Sequence, residues 1–178
     1  LQGQHAHADQ VRAMNALDAV PVSGTTNAVA PFFSPDSQWI GFFADGQLKK
    51  IALAGGAAVT LCEAKVGLGG SWGRDDTIVF ASTTGSGLSR VSASGGTPER
   101  VTTLDVAQGE FSHRWPQWLP DGTTVLYTAG TSGSFNDAAI VAHSLTSNRR
   151  SILVRGGTSP HYLPTGFLIY AQKGRIVR

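Results

Sequence analysis

Short apolar runs alternate with clusters of turn-forming residues along most of the chain. The clearest unit is Pro31-Phe32-Phe33, then Ser34-Pro35-Asp36-Ser37, then Trp39-Ile40-Gly41-Phe42-Phe43. It predicts a strand, a tight turn and a second strand: Pro35 pre-sets φ, and Asp36 bonds backbone amides two residues on. Asp45-Gly46 is a hairpin signal leading into a third strand, Leu48 to Leu53. Gly55-Gly56 turns the chain into a fourth, Val59 to Cys62. Trp39–Phe43 and Phe167–Ala171 are apolar at consecutive positions, the pattern of a strand covered on both faces rather than one.

The unit recurs. Pro35, Arg74, Pro120 and Pro164 hold equivalent turn positions, separated by 39, 46 and 44 residues, the spacing of four-stranded propeller blades of roughly 40–45 residues. The second strand carries an aromatic residue in every copy, at Phe42, Phe80, Tyr127 and Tyr170. The expected fold is therefore all-β, a β-propeller of four-stranded antiparallel blades with three full blades and two partial ones. The full blades fall at 27–67, 69–107 and 111–157, and 159–178 supplies the inner strands of a partial blade. Residues 11–26 supply outer strands at Val11–Met14 and Val20–Val22, with Pro21 suited to an edge. Residues 1–10 lack periodicity and read as a disordered lead-in. The His5/His7 pair there has no third ligand nearby in sequence.

Composition sharpens this picture. Charged residues are scarce at 15%, and there are 22 glycines among 178 residues, which suits strands and turns and not long exposed helices. A net charge of +2 is too small to argue for nucleic acid, and Lys49-Lys50 and Arg149-Arg150 read as solvated strand edges or turns. Cys62, the single cysteine, reads as a small apolar residue ending an outer strand. No apolar run reaches the ~20 residues that span a bilayer.

Phe33-Ser34-Pro35-Asp36 with Trp39-Ile40, Gly73-Arg74-Asp75, Leu119-Pro120-Asp121-Gly122 and Leu163-Pro164-Thr165-Gly166 resemble the PD40, or TolB-like, propeller repeats of bacteria. The departures from S-P-D-G at Ser37, Arg74–Asp76 and Thr165 predict less regular later turns. Gly-Phe-Phe-Ala-Asp-Gly at 41–46 and Arg-Val-Ser-Ala-Ser-Gly-Gly-Thr-Pro at 90–98 more closely resemble propeller regions that follow bacterial serine/threonine kinase domains. No Gly-rich loop with its lysine, H-R-D or D-F-G run is present. The resemblance implies a non-catalytic sensor or binding portion and an extracytoplasmic location. It also implies an alternative: the propeller of a metal-dependent lyase, a lactonase or a peptidase gating domain.

Innermost strands line a propeller's channel, so Arg114, Trp115, Gln117 and His161 are the candidate ligand-binding residues, with His113 at the entrance. His113 and His161 are the candidates for a divalent metal, against the reading that they are scattered polar residues lining a wet channel. His143 reads as a surface residue. Ser34, Ser71, Ser159 and His161 invite a hydrolase reading, but no G-x-S-x-G elbow exists; the serines read as repeat-equivalent structural residues. The recurring Asp36, Asp75 and Asp121 read as turn formers. No catalytic residue and no required cofactor is expected. A ring must close or its edges will seek partners. Either one chain closes a four-blade ring, or two chains form a homodimeric ring of about eight blades; the second is preferred. Protein, peptide or small-ligand partners at the channel mouth are expected, and nucleic acid and membrane insertion are not.

Overall fold

The computed structural model describes residues 8–11, 18, 20–132 and 135–178. His5, His7 and most of the strand expected at Val11–Met14 lie outside them. The fold is all-β and propeller-like. The first blade comprises β3 (Val29–Phe33), β4 (Trp39–Ala44), β5 (Gln47–Ala52) and β6 (Val59–Glu63). The second comprises β7 (Gly70–Trp72), β8 (Thr77–Phe80), β9 (Ser89–Ser92) and β10 (Glu99–Arg100). The third comprises β11 (Glu110–Trp118), β12 (Thr124–Thr131), β13 (Ala139–Ser144) and β14 (Arg150–Arg155). Each is an antiparallel meander in chain order. A three-stranded sheet follows, β15 (Thr158–Tyr162), β16 (Leu168–Gln172) and β17 (Arg175–Val177). A two-stranded sheet, β1 (Ala8–Val11) with β2 (Val20–Thr26), precedes the first blade. Ala8–Gln10 are thus strand and not lead-in.

The second strands show why consecutive positions are apolar. Along β8, Ile78 and Phe80 enter the core shared with the first blade, beside Phe43 and Leu48. Their alternates Val79 and Ala81 enter the core shared with the third, beside Val125 and Tyr127. The twofold alternation of a strand is intact, but both of its faces meet another blade. In β4, Ile40, Phe42 and Ala44 face a third core that Val22 of β2 joins, so β2 stands where a preceding blade's outer strand would cover the first blade.

The turns share one backbone device in all four copies. The Ser34, Gly73, Leu119 and Leu163 amides donate to Trp39, Thr77, Thr124 and Phe167 carbonyls at 2.8–2.9 Å. Positive φ falls on Ser37, Asp76, Gly122 and Gly166. Asp36, Asp75 and Asp121 each accept a backbone N–H two residues on. The hairpins close between residues five apart in the first and third copies and four apart in the second and fourth, and the fourth has Thr165 in place of the aspartate; common to all four is one left-handed residue, which need not be glycine.

The inner strands share a second device. Ala30, Gly69, Trp115 and Ser159 all have positive φ at one repeat position, and Pro31, Pro116 and Pro160 follow three of them. Register slips across this point in β3, β11 and β15. A bulge on a strand whose outer edge faces the channel needs no ladder donor, so proline fits there. A Cβ on Gly69 would come within 2.9 Å of the Trp115 Cα, so this glycine also lets adjacent inner strands approach.

Candidate functional site: the central cleft and its supports

The four inner strands β3, β7, β11 and β15 converge on a cleft of about 660 Å³ walled by Phe32, Phe33, Trp72, Trp115, Gln117 and His161, with the bulge prolines between them. Three of the four expected channel residues, Trp115, Gln117 and His161, are brought together here. Arg114 is turned aside: its Nε donates to Ser112 Oγ at 3.0 Å, and its guanidinium lies 5.1 Å from the Phe135 ring. Trp115 also meets Phe135, with centroids 5.4 Å apart. Arg114 and Trp115 therefore form a rim stack with Phe135, a residue the sequence did not single out.

Gln117 is committed to the fold. Its Nε2 donates to the Tyr162 carbonyl at 3.1 Å and its Oε1 accepts the Tyr162 amide at 2.6 Å. Ser71 makes the matching tie in the preceding blade, accepting the Trp118 amide at 3.0 Å. Phe32 fills the position in the first blade by wedging its ring between Gly41 and Gly70, where a Cβ would meet it at 2.4 Å on either glycine. Each side chain ties its inner strand to the next blade. The serines do not share one repeat position: Ser34 holds the first turn, Ser71 is such a tie, and Ser159 sits on a bulge with its amide on Thr128 Oγ1. Repetition is thus not what explains the serines; each has its own backbone task.

His113 is not at the channel entrance. It is fully buried between the second and third blades, with its ring 4.4 Å from that of Tyr127. The polar atoms form a relay. The Leu88 amide donates to Thr102 Oγ1 at 2.7 Å, and Thr102 Oγ1 meets His113 Nδ1 at 2.7 Å. His113 Nε2 lies 3.0 Å from Glu110 Oε2, which also accepts the Asp105 amide at 2.8 Å. Arg150 of β14 donates to the other Glu110 oxygen. The network assigns His113 as the Nε2–H tautomer, with Thr102 donating to Nδ1. Burial pushes the Glu110 carboxyl up, but hydrogen bonds from His113, the Asp105 amide and Arg150, together with the Arg150 charge, hold it down at about 2. Burial lowers the His113 pKa, against the raising influence of Glu110. Tyr127 is pushed up to about 12, chiefly by burial.

His143 is likewise buried, not superficial, with Nε2 at 2.9 Å from Asn148 Oδ1. The sequence signal for this cluster was the E-x-x-H spacing at Glu110–His113, which along a strand carries no fixed geometry. Thr102 joins it only through blade stacking, and Arg150 from the outermost strand of the same sheet. Lys50 was expected in solvent; instead its ammonium lies 4.5 Å over the Trp39 ring, while Lys49 pairs with Asp45 at 2.9 Å. Cys62 is buried, as expected, and burial raises its thiol to about 11, which keeps it protonated and unreactive. Among the described residues no group of three or more His, Cys, Asp or Glu side chains gathers to hold a metal, and no helix is long and apolar enough to cross a membrane.

No family model and no curated protein sequence matches the chain. Solved structures do. TolB from Acinetobacter baumannii superposes with a TM-score of 0.75 at 16% identity, over 96% of this chain and 44% of that one. A TolB-type protein of Agrobacterium tumefaciens gives 0.66 at 19% identity, over 88% and 56%. The calcium-binding protein regucalcin from the same organism gives 0.63 at 16%, over 84% and 52%. The chain has the β-propeller fold of the TolB proteins and spans about half the length of these structures.

Proposed function

We propose that this segment is a non-catalytic binding or scaffolding module whose central cleft takes a protein or peptide segment. The observation that carries the reading is the chemistry of the cleft wall. Its polar side chain Gln117 is consumed by an inter-blade tie, which leaves chiefly Phe33, Trp115 and Pro31, with His161 beside them, to face a ligand. Aromatic and proline walls suit an extended chain with apolar side chains, and Trp115 is the natural anchor. A place in the sensor region of a larger bacterial protein, extracytoplasmic, follows from the sequence resemblance alone. The test is a display selection of random peptides against the protein. Peptides rich in aromatic or proline residues are expected, with Trp115→Ala weakening them at least tenfold. Selected peptides indifferent to Trp115→Ala would overturn the assignment.

A second reading rests on His161, which is exposed at the cleft: the propeller of a metal-dependent lyase or lactonase. Its mark would be a rise in melting temperature with manganese or calcium that His161→Ala abolishes.

A further inference from the structure

A second hollow, of about 470 Å³, lies between the first and second blades, with Asp36, Trp39, Lys50, Trp72, Arg74 and Asp76 among its walls. Both blades are complete four-stranded sheets. The side chain that sets its character is Lys50 of β5. Its ammonium lies 4.5 Å over the Trp39 ring and 5.9 Å from the Trp72 ring. Indole faces attract a cation, but they do not take its three N–H bonds as oxygen acceptors would. Lys50 makes no ion pair among the described residues, although its neighbour Lys49 is paired with Asp45.

The repeat shows what is missing. Ile51 pairs with Ile40 as Val91 pairs with Ile78, so Lys50 and Arg90 hold one repeat position. Across the sheet Arg90 faces Glu99, and the two form an ion pair at 2.9 Å. Lys50 faces Val59. The first blade thus has the cation without the counterion. The carboxylates of the hollow do not replace it. Asp36 accepts the Ser34 hydroxyl and the Gln38 amide within its own turn, and Asp76 accepts the Trp72 indole N–H at 3.1 Å. Arg74 adds a second cation where the other three turns have Pro35, Pro120 and Pro164. It too makes no ion pair among the described residues.

We infer that this hollow binds the carboxylate of a singly charged ligand, with Lys50 and Arg74 as its counterions. A guanidinium takes a carboxylate through two parallel N–H bonds, and an ammonium reaches it as a point charge. Asp36 and Asp76 limit the charge that is accepted: a doubly charged oxyanion meets more repulsion from them than a carboxylate does. The carboxylate belongs to an acidic side chain or to a chain terminus. The site is built from other residues than Trp115 and His161, and does not depend on what the central cleft takes.

Trp39 and Trp72 report on the hollow, so the test follows the indole N–H resonances of the isotope-labelled protein. The probes are N-acetylglutamic acid α-amide for an acidic side chain, N-acetylalanine for a terminus, and sulfate as the dianion. At least one carboxylate probe is expected to shift Trp39 and Trp72 saturably, with a Kd below ~20 mM, and the tighter of the two identifies the source. Val59→Glu, at an exposed position, gives Lys50 the counterion that Arg90 has. It is expected to weaken that probe roughly tenfold, and Arg74→Gln, at an exposed turn, to weaken it by a smaller factor. No saturable shift with either carboxylate would overturn the inference. So would an affinity that neither substitution moves, or sulfate binding more tightly than both carboxylates.

Discussion

Two blade junctions solve one packing problem with opposite chemistry. Between the first and second blades, Phe43 fills the space in front of Gly67, and a Cβ on Gly67 would lie 2.7 Å from it. The rest of that junction is Leu48, Leu61, Trp72, Ile78 and Phe80. Between the second and third blades the sizes change places. Ala81 stands where the first blade has Phe43, and His113 where the second has Gly67. Three residues before each of these, Ala64 becomes Glu110. The result is a buried carboxylate and imidazole in line with the partly exposed guanidinium of Arg150. Comparing the two shows that the fold does not need charge at this place. A buried ionic network is costly to desolvate and holds only while complete, whereas the apolar junction has no such all-or-none character. The second junction is therefore the brittle one, and the one sensitive to solution conditions.

Removing one member of each junction compares them directly. Glu110→Ala strands the buried His113 N–H and leaves Arg150 its pairing with Asp105 at 3.7 Å, and is expected to cost about 3–5 kcal/mol in urea unfolding. Phe43→Ala opens a cavity and is expected to cost a similar ~3–5 kcal/mol. What separates them is rescue: replacing Glu110, His113 and Arg150 together by leucine, phenylalanine and methionine should be neutral or stabilising by about 1–4 kcal/mol, while no polar substitution at Phe43 should recover stability. A triple variant far less stable than Glu110→Ala would contradict the comparison.

Gly67→Ala is the next test in size. It drives a methyl into Phe43 and should cost about 1–3 kcal/mol, read as a shift in urea midpoint at constant m-value. An unchanged midpoint would mean that the first junction is looser than the geometry indicates.

The smallest effect expected is a pH dependence confined to the second junction. The folded His113 pKa lies below its ordinary value of 6.5, so the unfolded chain binds the extra proton first, and stability falls as pH drops below about 6.5. The folded Glu110 carboxyl titrates at about 2 against an ordinary 4.5. Its contribution is present above 4.5 and is lost as pH falls toward 2. Both act in the same direction. Melting temperature against pH should fall on acidification in the native chain and be flatter in the triple variant, whose junction holds no titrating group at those three positions. Equal slopes would place the acid sensitivity elsewhere.

Much of this fold was written in local chemistry. The turns at Pro35, Arg74, Pro120 and Pro164, the aromatic position on each second strand, and the doubly apolar runs are properties of a few consecutive residues, and they fix strand order and blade count. The two-faced burial of β8 follows from the same run of letters once each blade is known to have two neighbours. The candidate site was legible only as far as the inner strand could be located, which placed Trp115, Gln117 and His161 in the cleft.

Tertiary structure decided what those residues do. Gln117 became a tie because stacking brings the Tyr162 backbone, from the next repeat, within its reach. His113 went to the interior and not to the channel because the bulge at Trp115 separates the stretch of β11 that lines the cleft from the stretch that meets the second blade. Thr102, from the preceding repeat, reaches His113 only when two sheets close on each other, and Arg150 reaches Glu110 from the outermost strand of the same sheet. Local sequence sets backbone dihedrals and which face is apolar. The partners of a buried polar atom are set by which distant strands and sheets come together, which no run of consecutive residues contains.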